Sequence, residues 1–428
     1  MLVLSPHTVI RPEPQGALLF QQETAETALI DREGLDTLYA LLKGELRDYA
    51  PFFVGYLCEK GFVVEGAGEG GLERVAAVCD AAPTTTAPPR ALAAPETIHF
   101  SVTGRCDQAC AGCFYSARPG SAVSPTDAPF KLFERVVRQA AEARVFQLAL
   151  GGGEPLLHPC LLEMVRLARQ NRILPNLTTN GNLLDRDVAE ELKEAGLGQV
   201  QISLNGASEA TNQATRPNFA QSIAAIAACQ AAGLQFGINF LLTRSSLPDL
   251  EAVIRLGQSK GAATVNLLRP KPPTTDGDWL ERESPAAADY RGVQAVLQRF
   301  QAAERTPAPV TRITIDASLT FLLSDRSPQA LYRAGVWGCS AARKFVTVTQ
   351  DGDVLPCSHV RWSDVGEGDV MRAWRESSVM ARFRGLEEIA RGNCRRCRHL
   401  PQCRGCPAVV MAFGGEFGDA DPHCPQHP

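Results

Sequence analysis

From residue 96 to about residue 270, short apolar runs alternate regularly with amphipathic stretches. TIHFSVT, VFQLAL, ILPNLTT, QVQISL, QFGINFLL and ATVNLL have the length and β-branched content of strands. PFKLFERVVRQAAEA, LLEMVRLARQ, DRDVAEELKEAG, QSIAAIAACQAAG and DLEAVIRLGQSKG repeat apolar residues at helical spacing. Six such repeats with short connections predict an α/β fold: a partial (β/α)6 TIM-like barrel, parallel sheet inside and helices outside. Chemistry in such folds sits at the carboxyl ends of the strands.

The flanks read differently. In residues 1–66, HTVIRPEPQGALLF and ETALID predict two strands around a turn at Gly16. Leu35, Leu38, Leu41 and Leu42 then share one helix face, with Gly44 as its stop. YAPFFVGYLCEKGFVVEG predicts a second helix and a short strand. So small an α+β unit buries little core alone and is expected to dock. Residues 67–95, rich in Gly, Ala, Pro and Thr, have the composition of an extended linker. The barrel is expected over 96–305, with 271–310 as a bridge. The turn-rich, cysteine-rich 306–428 is expected to need metal staples.

Composition sharpens this picture. The chain has 428 residues, 45% hydrophobic and 21% charged, as packed globular proteins do. No run of 18 apolar residues predicts a membrane span, and no secretory signal is expected at the N-terminus. A net charge of -4 speaks against a nucleic-acid partner. The cysteine count, 14, is high. A cytoplasmic location keeps thiols reduced, so clustered cysteines point to metal rather than to disulfides.

Cys106, Cys110 and Cys113 form C-x3-C-x2-C directly after the first barrel strand. Three thiolates on one loop can hold three irons of a cubane cluster and leave the fourth open. A zinc knuckle would need a fourth ligand, and His158 is the nearby candidate. The second strand ends in Gly151-Gly152-Gly153-Glu154, where glycines permit close approach of backbone and Glu154 can accept from an ammonium group. Asn180, Ser203 and Asn205 lie at the ends of the third and fourth strands.

Together these motifs resemble the radical S-adenosylmethionine (radical SAM) superfamily over residues 96–270. The resemblance implies a [4Fe-4S] cluster on Cys106, Cys110 and Cys113. It implies SAM chelating the open iron, and reductive cleavage to a 5′-deoxyadenosyl radical that abstracts hydrogen. Gly152, Gly153 and Glu154 would hold the methionyl amine. Asn180, Ser203 and Asn205 would lie near the ribose or methionyl group, and Arg216 would pair the carboxylate. One departure stands out. The family usually places an aromatic before the third cysteine, where this chain has Gly112, followed by Phe114 and Tyr115.

The C-terminal cysteines, Cys339, Cys357, Cys394, Cys397, Cys403, Cys406 and Cys424, suit two sites. With His359, His399 or His423 they would also suffice for two zinc ions. Their order resembles the SPASM extension of radical SAM enzymes, with Cys403-x2-Cys406 one residue shorter than its usual C-x3-C. That resemblance implies two auxiliary [4Fe-4S] clusters, three in all. Cys339, Cys357 and Cys406 would bind one, and Cys394, Cys397, Cys403 and Cys424 the other. Cys58, Cys79, Cys160 and Cys229 fit no motif.

Residues 1–66 resemble the peptide-recognition element of ribosomal-peptide maturases, a winged-helix-like domain similar to the chaperone of pyrroloquinoline quinone biosynthesis. It captures a leader peptide as an added β-strand. Five Lys/Arg against ten Asp/Glu in this segment disfavour a nucleic-acid-binding winged helix. The expected enzyme is a radical SAM/SPASM maturase of a ribosomally synthesised precursor peptide, fed electrons by a reductant such as flavodoxin or ferredoxin. Its product would be a thioether, a carbon–carbon crosslink or an excised backbone fragment. The alternatives are a protein side chain, as in sulfatase maturation, a haem-type small molecule, or a zinc-binding winged-helix regulator.

Overall fold

The computed structural model describes residues 2–45, 51–66, 71–117, 119, 126–272, 277–303 and 311–426. The N-terminal part contains strands β1 (Leu2–Leu4), β2 (Thr8–Glu13), β3 (Gly16–Gln21) and β4 (Thr27–Asp31). Helices α1 (Arg32–Lys43) and α2 (Pro51–Glu59), strand β5 (Val63–Glu65) and helix α3 (Leu72–Ala81) follow. β2, β3 and β4 form an antiparallel sheet with β3 central, and β1 pairs β5. The first expected strand is thus a hairpin in its own right. Gly16 accepts this because a Cβ there would lie 2.2 Å from the Ile30 carbonyl oxygen.

α1 is capped at both ends. The Asp31 side chain accepts from Gly34 N at 2.8 Å, and Gly44 closes it with φ 73°. Leu35, Leu38 and Leu42 are buried against Ala17 and Leu19 of β3 and against Val75 and Val78 of α3. Burying each such Leu or Val contributes about 1.5–3 kcal/mol. Part of the expected 67–95 linker is therefore core of this unit. Its Ala- and Gly-rich flanks hide a ten-residue helix.

The barrel strands are β6 (Thr97–Thr103), β7 (Gln147–Gly152), β8 (Leu174–Thr179), β9 (Gln199–Ser203), β10 (Phe236–Leu241) and β11 (Thr264–Leu268), all parallel and in sequential order. Between them lie α4 (Phe130–Glu142), α5 (Leu161–Gln170), α6 (Arg186–Glu194), α7 (Glu209–Gln213), α8 (Phe219–Ala232) and α9 (Leu250–Ser259). α10 (Gly277–Glu283) and α11 (Ala287–Ala303) bridge to β12 (Arg312–Ile315). Ile98, Phe100 and Val102 of β6 pack against Phe133, Val136 and Val137 of α4, so Thr97, His99 and Ser101 face the lumen. The sheet runs on past the sixth strand: β12 pairs β11, and β13 (Phe345–Val348) pairs β6 and the short β14 (Val354–Leu355).

The N-terminal sheet lies across the amino-terminal ends of the barrel strands, away from the carboxyl rim. Leu18 and Phe20 pack on Phe146 and Leu174, which begin or immediately precede β7 and β8. The Phe20 and Phe146 rings stack at 5.1 Å. The buried Arg11–Glu13 pair joins the seam, with Arg11 donating to Pro95 O at 2.7 Å and lying over Phe146. Outward carbonyls of edge strand β2, and that of Pro6 just before it, are taken by arginines. Arg172 donates to Pro6 O, Arg74 to Thr8 O and Arg144 to Ile10 O.

Candidate active site

The cysteine loop leaves the carboxyl end of β6. Its base is fixed by Arg105, which grips Asp127 through Nε (2.9 Å) and Nη2 (2.7 Å), while Thr103 Oγ1 donates to the same carboxylate at 2.6 Å. The glycine run at the end of β7 packs directly under it. Gly153 N donates to Thr103 O at 2.8 Å, and Glu154 N to Arg105 O at 2.7 Å. A Cβ on Gly153 would fall 1.9 Å from Arg105 O, and one on Gly152, at φ 120°, 2.3 Å from Thr103 O. The glycines thus have a packing reason independent of any ligand: they let the cysteine loop lie on β7.

Glu154 is 1% exposed. Its carboxylate accepts from Thr179 Oγ1 (2.7 Å), Asn180 N (2.8 Å) and Leu156 N (3.1 Å). Burial pushes its pKa up to about 7 despite these three bonds. Asn180 Nδ2 donates to Asp107 Oδ1 at 2.7 Å and lies 3.9 Å from Cys106 Sγ. Asn182 holds the other Asp107 oxygen at 3.0 Å, and Asn218 donates to Asn180 O at 2.7 Å. Asp107, Asn182 and Asn218 were not singled out from the sequence. Only the adjacency of Asp107 to Cys106 hinted at this cross-strand network.

Ser203 ends β9 and touches the network through its carbonyl, which accepts from Ser222 Oγ at 3.3 Å. Asn205 is buried and committed to its own loop: it accepts from Leu241 N (3.2 Å) and donates to Thr215 Oγ1 (2.9 Å). Arg216 reaches the cysteine loop at Gln108, 3.4 Å away, and its charge opposes the rise that burial imposes on the Cys110 thiol. Arg216 Nε and Gln108 Nε2 are both buried without a partner. Two orphaned donors beside three thiols fit an acceptor-bearing cofactor. His158 is spent structurally, facing Ala128 O at 3.1 Å and accepting from Cys160 N. Phe114 and Tyr115 turn toward the C-terminal region, where Phe114 meets His359 at 4.4 Å and Tyr115 donates to Gln350. The space over Gly112 is filled instead by Trp279 of α10.

The C-terminal thiols fall into two groups. Cys339, Cys357 and Cys406 lie within electrostatic reach of one another, as do Cys394, Cys397, Cys403 and Cys424. The second four line one small cavity. Burial pushes Cys357 and Cys403 up to about 12, and Cys406 and Cys424 up to about 11. Thiolates in such places need a compensating cation, which an iron-sulfur cluster supplies. Among the described residues no three His, Cys, Asp or Glu side chains converge tightly enough to hold a single metal ion. The last group is pinned to the barrel by Arg269, at the end of β11, whose buried guanidinium takes both oxygens of Asp421 at 2.6 Å.

Comparison with known proteins accords with this geometry. Residues 100–256 match the radical SAM superfamily, and residues 339–407 match SPASM, an iron-sulfur cluster-binding domain. PqqA peptide cyclase of Gluconobacter oxydans (strain 621H) is 28% identical, over 78% of this chain and 91% of that protein. AdoMet-dependent heme synthase of Methanosarcina barkeri (strain Fusaro / DSM 804) is 26% identical, over 78% and 97%. The crystal structure of Streptococcus suis SuiB bound to precursor peptide SuiA aligns over 99% of this chain and 100% of that one, with a TM-score of 0.72 and 16% identity. The chain is an enzyme with a radical SAM domain over residues 100–256 and a SPASM domain over residues 339–407. Its cofactors are SAM, a [4Fe-4S] cluster and auxiliary iron-sulfur clusters.

Proposed function

We propose that this enzyme matures a ribosomally synthesised precursor peptide. The observation that carries the reading is the barrel lumen. Gln147 and Asn176 are hydrogen-bonded at 3.0 Å across β7 and β8. Asn266 Nδ2 donates to Gln201 and Asn239, 2.9 Å each, and Thr314 donates to Asn266. Gly237 leaves room for Gln201 to reach Thr264 over β10. Neutral amides match the donors and acceptors of a peptide backbone. A haem-type substrate would instead bring carboxylates. Yet three basic residues flanking this lumen, Arg269, Lys271 and Arg312, are each paired with an acid: Asp421, Asp316 and Glu26.

The N-terminal unit supports the same reading as a leader-recognition element. Its β2 edge is blocked by arginines, whereas β4 forms the other edge of the sheet, with Leu29 49% exposed. Phe52 on the neighbouring α2 is 89% exposed. A leader added as a strand beside β4 would cover apolar side chains as it paired backbone groups. We extend this unit from residue 66 to about 82, to include α3. The barrel runs over 96–305 and the SPASM part over 306–428.

In this reading Cys106, Cys110 and Cys113 hold the SAM-binding cluster, and Glu154 accepts from the amine of SAM. Gln108 and Arg216 face its carboxylate, and Asn180 orients the loop through Asp107. Cys339, Cys357 and Cys406 hold one auxiliary cluster; Cys394, Cys397, Cys403 and Cys424 hold the other. When bound, the cofactors supply one-electron cleavage of the sulfonium and hydrogen-atom abstraction from the peptide. The electron comes from a flavodoxin- or ferredoxin-type donor. None of the fourteen cysteines is paired in a disulfide, which suits the reducing cytoplasm.

The test is anaerobic turnover of the reconstituted enzyme with SAM, dithionite and full-length peptides encoded by the short reading frames flanking its gene. A mass change in one peptide, dependent on SAM, supports the reading. Abundant 5′-deoxyadenosine with every peptide unmodified rejects it.

A further inference from the structure

A cavity of about 470 Å³ lies at the seam between the N-terminal unit and the barrel, lined by β2, α3 and the C-terminal ends of α4 and α5. Three of its lining residues are Arg74, Arg144 and Arg172; Glu73 is the one acid among them. Arg144 and Arg172 each follow the C-cap of a helix with left-handed backbone, φ 51° and 60°. Glycine adopts that conformation without strain, so two arginines there are unusual. The Arg144 and Arg172 charges both oppose the charge of Arg74.

Each guanidinium donates to one neutral carbonyl of β2 or of Pro6 just before it. Each has five N–H donors, so most remain unused by these bonds, and with Glu73 the one acid in the lining the cavity keeps a net positive charge. Three like charges around one cavity repel unless an anion joins them. We propose that this cavity binds a small polyanion, through phosphate or carboxylate oxygens gripped by Arg74, Arg144 and Arg172. Forked guanidinium donors match either group, and the volume is that of a small-ligand site. The bound anion would tie the N-terminal unit to α4 and α5. This site is remote from the cysteine loop and independent of the proposed peptide substrate.

Holoenzyme titrated calorimetrically with inorganic phosphate, and separately with succinate, at constant ionic strength set by chloride, tests this. Saturable heat from either probe is expected, and the tighter probe identifies the headgroup chemistry. Arg144→Gly and Arg172→Gly suit the left-handed backbone, so they remove charge without straining the chain. Each should weaken binding about tenfold or more, and Arg172→Lys should recover part of the loss. Iron content and circular dichroism of these variants report that the fold is kept. If the Arg144 variant loses its fold, the Arg172 variant alone decides. No saturable heat from either probe, or unchanged affinity in the glycine variants, overturns the proposal.

Discussion

The indole of Trp279 occupies the volume that any side chain on residue 112 would need: a Cβ built on Gly112 lies 2.3 Å from three atoms of the ring. Gly112 also has φ 67° and sits between Cys110 and Cys113. The aromatic absent from the cysteine motif is thus supplied to the loop from α10. Gly112→Ala should displace the indole and cost about 1–3 kcal/mol in strain and overpacking. The expected result is loss of iron from the first site with auxiliary iron retained. Full iron occupancy in that variant would contradict the packing.

The cluster assignment makes a quantitative demand. Three four-iron clusters give roughly twelve irons per chain. Cys106→Ala should abolish reductive SAM cleavage and lower iron to roughly eight. Iron and sulfide analysis beside a 5′-deoxyadenosine assay measures both. Undiminished cleavage in the variant would remove Cys106 from the site.

Glu154 gives a pH dependence with a definite sign. Burial raises its carboxyl pKa to about 7, and the protonated form cannot accept from an ammonium group at that oxygen. SAM affinity should therefore rise with pH and level off above about 7, falling about tenfold per unit below it. Glu154→Gln should flatten the profile at low affinity. Equilibrium SAM binding across the range is the measurement, and a wild-type profile flat through neutrality would exclude this role.

Arg269 and Asp421 form a buried pair whose loss leaves an uncompensated charge. Asp421→Ala should destabilise the protein by about 3–5 kcal/mol. Because the pair anchors the loop bearing Cys424, iron should leave the second auxiliary site first. Thermal unfolding and iron content check this together; an unchanged midpoint would mean the pair contributes nothing.

Leu29→Glu places a charge on the exposed edge of β4. Such a surface change should alter stability by no more than about 0.5 kcal/mol. It should weaken precursor binding while sparing uncoupled SAM cleavage. Equal peptide affinity in the variant and the parent protein would move the leader site elsewhere. Truncation is a poorer test, because removing residues 1–66 strands Val75 and Val78 of α3 and bares Phe146 and Leu174.

The barrel was legible because its apolar positions repeat with two clean periods, and every expected strand formed. The C-terminal thiols that the spacing groups together also lie near one another in space. Three features were not legible. α3 lies among Gly- and Ala-rich residues whose composition outweighs the spacing of Val75 and Val78. The turn expected at Gly16 forms at Pro14 and Gln15 beside it, but the two strands expected there are three. Gly152 and Gly153 read as room for a ligand, yet the space is filled by carbonyls of Thr103 and Arg105. Long-range contacts of that kind, like Trp279 over Gly112, leave no local pattern to read.

The N-terminal sheet packs on the amino-terminal ends of β7 and β8, on the side of the barrel opposite the carboxyl rim. In the proposed reading a precursor tethered at that unit must reach round to the rim, so the spacer between its leader and its modified residue has to span the depth of the barrel.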